Sequence, residues 1–135
     1  MPRLSLLSLF FMAVCTSISC KKSSNTTPPA DAPSDIQITS PFPGTIVLNG
    51  TTLSVEGTIT DDNVLSSAKV EIRNKNTGAV LFQQSSLTGN VQFYRFLWSW
   101  MVTGIVSPIP ATIKVTAKDK YSYEVFKEVD IMLVD

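Results

Sequence analysis

The 135-residue chain contains no histidine. That removes the commonest general base and proton shuttle, and with it the usual His-containing zinc sites. Cysteine is scarce at two residues, Cys15 and Cys20. Charge is scarce as well: 16% of residues are charged, and 11 Lys+Arg balance 11 Asp+Glu. A neutral chain has no electrostatic pull on a polyanion, so nucleic acid is not among the expected partners. No stretch combines a nucleophile, a base and oxyanion donors, and the chain reads as a non-enzyme. Hydrophobic residues make up 44% of the whole, which argues for a packed domain over a disordered chain. The length suits a single domain.

Residues 1–19 have the three-part layout of a secretory signal. Arg3 supplies the positive start, residues 4–14 an apolar run, and residues 16–19 short side chains ahead of Cys20. The apolar run falls short of the roughly 20 residues a membrane-spanning helix needs. Ser17-Ile18-Ser19-Cys20 resembles a bacterial lipobox, with Ser17 where that pattern prefers Leu. The resemblance implies that Cys20 becomes the first residue of the mature chain and carries a diacylglyceryl group. Cys15 is the poorer candidate, because Val14 before it is bulky. Cys15 would then be lost with the signal, leaving no thiol for a disulfide. One acyl chain binds a membrane only marginally, whereas two or more anchor stably.

Residues 21–35 carry Ser, Thr, Pro and charges but no aromatic or large aliphatic side chain. Such a stretch buries too little to offset its ordering entropy, and it reads as a flexible tether with a reach of about 50 Å at full extension. The run KKSSNTTPPADAPS resembles the polar tether of Bacteroidota lipoproteins. Lys21-Lys22 lacks both the Asp that signals inner-membrane retention in enteric bacteria and the acidic residues that accompany surface export in Bacteroidota. The resemblance thus implies the outer membrane, with its periplasmic face favoured. The expected organisation is a signal at 1–19, a lipidated Cys20 with tether to 35, and one folded domain at 36–135.

Within that domain the dominant signal is apolar alternation of period two. It predicts strands near residues 36–39, 45–48, 53–59, 68–73, 79–83, 91–102, 113–118 and 128–133. Turn residues separate them: Pro41-Phe42-Pro43-Gly44, the hairpin signal Asn49-Gly50, Asp61-Asp62-Asn63, and 74–78. The acids Glu56, Glu71 and Glu128 fall on outward positions. This pattern predicts an antiparallel β-sandwich of seven to eight strands.

Three segments carry a family resemblance. They are Ser40-Pro41-Phe42-Pro43-Gly44, the stretch from Val55 to Ile72 with Asp61-Asp62 at its middle, and Val115-Thr116-Ala117-Lys118-Asp119. Together they resemble bacterial Ig-like domains, which implies an all-β, antiparallel Ig-like β-sandwich. The antibody-type Cys–Trp–Cys spacing is missing. Lys120-Tyr121-Ser122 replaces the Gly-Asn that often follows the late Asp in the family.

Two groups of residues are candidate sites. The Ig-like topology implied by the resemblance would bring Asp61, Asp62 and Asp119, with Asp35, to one pole. Oxygen-rich clusters suit Ca²⁺, which takes 6–8 oxygen ligands, so calcium is the one cofactor suggested. The competing reading is that Asp favours turns by bonding its own backbone, and no EF-hand spacing is present. The second group is the aromatic run at 93–101, where Phe93, Trp98 and Trp100 are candidate binding residues. Phe96, Trp98, Trp100 and Val102 share one face of a strand, and Phe93, Leu97 and Met101 share the other. A covered core strand, a docking patch for a protein, and a sugar-stacking platform all fit this run. The expected partners are the membrane, through the lipid, and an envelope protein or glycan. The expected role is a non-enzymatic interaction or adhesion module, with glycan binding as the alternative.

Overall fold

The computed structural model describes residues 32–135. The signal at 1–19, Cys20 and the tether up to residue 31 lie outside the described residues. Six strands follow one another: β1 (Asp35–Ser40), β2 (Ile46–Leu48), β3 (Thr52–Asn74), β4 (Val80–Met101), β5 (Ile109–Asp119) and β6 (Glu124–Val134). Among the described residues no helix is long and apolar enough to cross a membrane.

The alternation that builds β3 changes phase part-way along. Leu53, Val55 and Ile59 point into the core at odd positions, as does Leu65, whereas Ala68, Val70 and Ile72 do so at even ones. Period-two side-chain geometry allows this only if the ladder slips by a residue. The slips lie between Thr60 and Leu65 and between Leu65 and Ser67. Thr60 faces Phe93 and Leu65 faces Val91, so residues 61–64 bulge out opposite Gln92. Such bulges bend a strand and increase its twist. Nearby on β4, Gly89 and Asn90 adopt left-handed backbone with φ of +74° and +58°. Gly has no steric objection to that region, and Asn is among the residues that tolerate it. The hydroxyl of buried Thr88 donates to the Leu65 carbonyl at 2.6 Å, tying the two irregularities together.

The β3–β4 pair is thus one long bent hairpin. β1 pairs with the first half of β3, and β5 with the second, on the edge opposite β4. β6 pairs antiparallel with β5, and β2 pairs parallel with β6. The order β1-β3-β5-β6-β2, with β4 on the other edge of β3, makes one continuous sheet. The sheet curls around a single core that includes Val55, Ile59, Leu65, Val70, Phe96 and Ile113. β4 even meets itself across this core. The Phe82 and Trp100 rings stack with centroids 5.8 Å apart, and Trp98 Nε1 donates to Ser86 Oγ at 3.2 Å.

The all-β expectation holds, with differences in how the strands are joined. Among the described residues there are six strands in one curled sheet where a sandwich of seven or eight was expected. The segments at 53–59 and 68–73 merge into β3, and those at 79–83 and 91–102 into β4. Asp61-Asp62-Asn63 has turn chemistry, with Asn63 N donating to Asp61 Oδ1 at 2.8 Å, but its turn is a bulge inside a continuing strand. Asn49-Gly50 joins no hairpin. It links β2, which belongs to β6, to β3, which belongs to β1 and β4. The β2–β6 pair is parallel, so the sheet is not wholly antiparallel.

Candidate functional site

At one pole an open cleft of about 410 Å³ is lined by Pro33, Ser34, Asp61, Asp119, Tyr123 and Val125. Asp61, Asp119 and the residues leading into β1 therefore come together, as the Ig-like topology implied. Asp62 is exposed beside them, and Asp35 accepts a hydrogen bond from Gln37 Nε2 at 3.1 Å. The carboxylates hold parts of the chain in place. Buried Asp119 accepts from the backbone N–H groups of Tyr121 and Tyr123, both at 2.8 Å, and so closes the β5–β6 turn. Asp61 accepts from Asn63 N and from the Ser34 hydroxyl, and Asp62 from Ala32 N at 3.2 Å. Among the described residues no group of three or more His, Cys, Asp or Glu side chains is arranged to hold a metal. The turn-bonding reading of these aspartates accounts for what they contact.

On the outer face of the second half of the sheet, Glu71 lies in a depression of about 430 Å³ among Lys69, Arg73, Lys114, Lys118 and Phe126. Its side chain is only 7% exposed. Arg73 Nε donates to Glu71 Oε1, and Lys69 Nζ stands 3.5 Å from Oε2. The Arg73 hydrogen bond, outweighing the opposing effect of burial, holds the Glu71 carboxyl below its ordinary value of 4.5. The remaining cations of this face are also engaged. Lys114 Nζ sits 3.9 Å over the Phe126 ring, and Lys118 lies 3.7 Å from Glu124. The outward position of Glu71 was legible in the sequence, but its burial was not, because long neighbouring side chains cover it.

The aromatic run occupies the last stretch of β4. From Thr60↔Phe93 to Thr52↔Met101 the ladder with β3 is uninterrupted, so alternation is strict. Even positions point inward: Phe96 and Trp98 are buried with rings stacked at 4.6 Å, and Trp100 is half-buried against Phe82. Odd positions point outward: Phe93 is 59% exposed, Leu97 63% and Met101 62%. Trp98 and Phe93 therefore lie on opposite faces and cannot form one binding set with Trp100. Trp98, at 3% exposure, presents no ring to a ligand. What remains on the surface is an apolar strip of Phe93, Leu97 and Met101.

No protein-family model matches the chain, and no curated protein matches it. Among solved structures it is similar to the fibronectin(III)-like modules of Clostridium thermocellum CbhA. That likeness has a TM-score of 0.51 and 16% sequence identity, and covers 73% of this chain and 94% of that one. It is also similar to murine CRIg, with a TM-score of 0.45 and 9% identity over 76% and 98% of the two chains. The likeness to the CbhA modules establishes a fibronectin-III-like fold, which by itself hosts many roles.

The strip has a second property that sequence reasoning missed. Among the described residues β4 pairs only with β3, so its other edge carries no partner strand. The available signal was compositional. Between Val80 and Met101 the only charged residue is Arg95, and there is no Pro, although charged side chains and Pro are among the devices that protect edge strands.

Proposed function

We propose that the chain is a lipid-anchored cell-envelope protein whose single Ig-like sandwich domain is a non-enzymatic protein-interaction module, with β4 as its binding face. The observation that carries the binding face is the Phe93, Leu97 and Met101 strip on a strand whose outer edge has no partner strand among the described residues. An exposed strand edge offers main-chain hydrogen bonds, and alternate side chains beside it offer specificity, which together suit a protein partner. Ser17-Ile18-Ser19-Cys20 supports the anchor, and the polar tether after it supports a domain held off the membrane. Sugar stacking favours flat exposed rings, and of the three aromatic candidates only Phe93 is well exposed.

The test uses the full chain expressed in a bacterial envelope. Intact mass and detergent partitioning are expected to show a diacylglyceryl-modified chain starting at Cys20, lost on Cys20→Ala. A soluble, unlipidated product would overturn the anchor. For the module, a photo-crosslinking amino acid at position 97 is expected to give protein adducts that the same probe at exposed Glu128 does not. No adduct at 97, together with polysaccharide binding that Phe93→Ala abolishes, would replace this reading with the glycan one.

A further inference from the structure

We propose that the free edge of β4 pairs with β4 of a second copy of this chain, antiparallel and centred on Leu97. This rests on the reading of the domain as a protein-interaction module and names its partner.

The edge itself requires a strand. Val102 N donates to Thr51 O, and Gly50 N donates to Val102 O, so the main-chain groups of Val102 face β3. In an antiparallel ladder the bonding residues alternate. Trp100, Trp98, Phe96 and Tyr94 therefore face β3, whereas Met101, Ser99, Leu97, Arg95 and Phe93 direct their N–H and C=O groups outward. The residues with free main-chain groups are thus the ones whose side chains form the exposed strip. A row of free donors and acceptors flanked by apolar side chains is a template for another strand.

Charge and symmetry select the second copy. A two-fold axis at Leu97 sets Leu97 against Leu97, Phe93 against Met101 and Arg95 against Ser99. Outward-bonding residues then lie opposite one another, so each of these exchanges paired hydrogen bonds with its partner. Apolar side chains lie opposite apolar ones, and the single charge lies opposite a hydroxyl. Centring the axis on Arg95 instead would set two guanidinium groups against each other, which is unfavourable. A closed two-fold contact of this kind uses one patch twice. It also continues the ladder from β3 through β4 into the second copy.

The area limits the strength of the contact. Stable dimers commonly bury roughly 800 Å² per partner, and pairing along residues 93–101 covers less than that. The contact therefore suits chains concentrated on one membrane, and the test is made there.

Single-cysteine variants of the full chain are expressed in membranes and mildly oxidised, with the unsubstituted chain as the blank for Cys15 and Cys20. Paired antiparallel residues sit about 5.5 Å apart at Cα, inside the disulfide range of roughly 4.4–6.8 Å. Leu97→Cys is expected to give a covalent dimer at least about fivefold above Glu128→Cys. Phe93→Cys and Met101→Cys, carried on two distinguishable copies, are expected to link to each other more than either links to itself. Adding Leu97→Lys to that pair is expected to abolish the link while leaving the thermal melt unchanged. Equal dimer from Leu97→Cys and Glu128→Cys would overturn the proposal. So would an internal bond from position 97 to Cys20, which would mean that the chain's own N-terminal segment covers the edge. A bond from position 97 to a different protein would overturn self-pairing and leave the interaction module standing. No adduct of any kind at 97 would sink both.

Discussion

Gly57→Ala isolates the closeness of strands inside this sheet. Gly57 lies on the inward face of β3 between Val55 and Ile59, where a larger apolar residue would be the default. A methyl group built there meets the Gln37 carbonyl oxygen at 2.0 Å and the tip of the Phe96 ring at 2.5 Å. Both neighbours are fixed. Gln37 O belongs to the backbone of β1, and Phe96 is buried against Trp98. The backbone at Gly57 lies outside the left-handed region, so the substitution adds volume without conformational strain.

Overpacking a core commonly costs 1–3 kcal/mol, and two immovable walls put this case at about 3 kcal/mol. In a domain of about this size each kcal/mol shifts the melting temperature by roughly 4–8 °C, so a fall of about 12–24 °C is expected. Gly78→Ala is the control. Its φ is +74° and nothing lies within 4 Å of an added Cβ, so only the left-handed conformation is penalised, at about 1 kcal/mol. Melts followed by circular dichroism compare the two. Hydrogen exchange adds location: β1 amides should lose protection in Gly57→Ala while β5 and β6 keep theirs. A Gly57→Ala melt within about 4 °C of the parent, or above that of Gly78→Ala, would refute the reasoning.

Glu71 predicts a pH effect. Its folded pKa lies below 4.5, so its contribution is present above the unfolded value and is lost as pH falls through the folded one. In Glu71→Gln the decline of the urea midpoint on acidification below about pH 5 should be shallower than in the parent. Trp98→Ala should cost about 3–5 kcal/mol in denaturant unfolding, against about 0.5 kcal/mol or less for Phe93→Ala on the opposite face. Asp119→Ala orphans the N–H groups of Tyr121 and Tyr123, at about 1–3 kcal/mol for each group left unsatisfied. Asp119→Asn keeps an accepting oxygen, and its urea midpoint should lie closer to that of the parent.

Alternation made most of the core legible in the sequence. Leu53, Val55, Ile59, Val70, Ile72, Ile113, Val115, Val129, Ile131 and Leu133 all fall on predicted inward positions and are buried. The continuity of β3 and β4 was not legible. Asp61-Asp62-Asn63 has the same local chemistry whether it ends a strand or bulges from one, and only the partner register decides which. The parallel β2–β6 pair was hidden for a related reason, since Asn49-Gly50 signals a turn without naming the strands on either side. In the candidate site, the two faces of 93–101 were separable by parity alone. Which of them is core depended on β3, whose inward residues Val55 and Gly57 sit opposite Trp98 and Phe96.

The free edge follows from the same bulge. Because β3 continues through the bend, β1 occupies one of its edges before residue 61 and β5 occupies that edge after 64. β4 fills the other edge along both halves. β3 is therefore paired on one side along residues 56–60 and 65–74 and on the other by β4, and β4 is left as an edge strand with β3 as its only partner among the described residues. A proline or a row of lysines would be the ordinary way to close off such an edge. Between Val80 and Met101 there is neither, and Arg95 stands alone. An edge this poorly guarded is an aggregation risk in a free protein. The absence of guards is better accounted for if a strand normally sits there, and the even spacing of Phe93, Leu97 and Met101 about Leu97 fits a strand identical to itself.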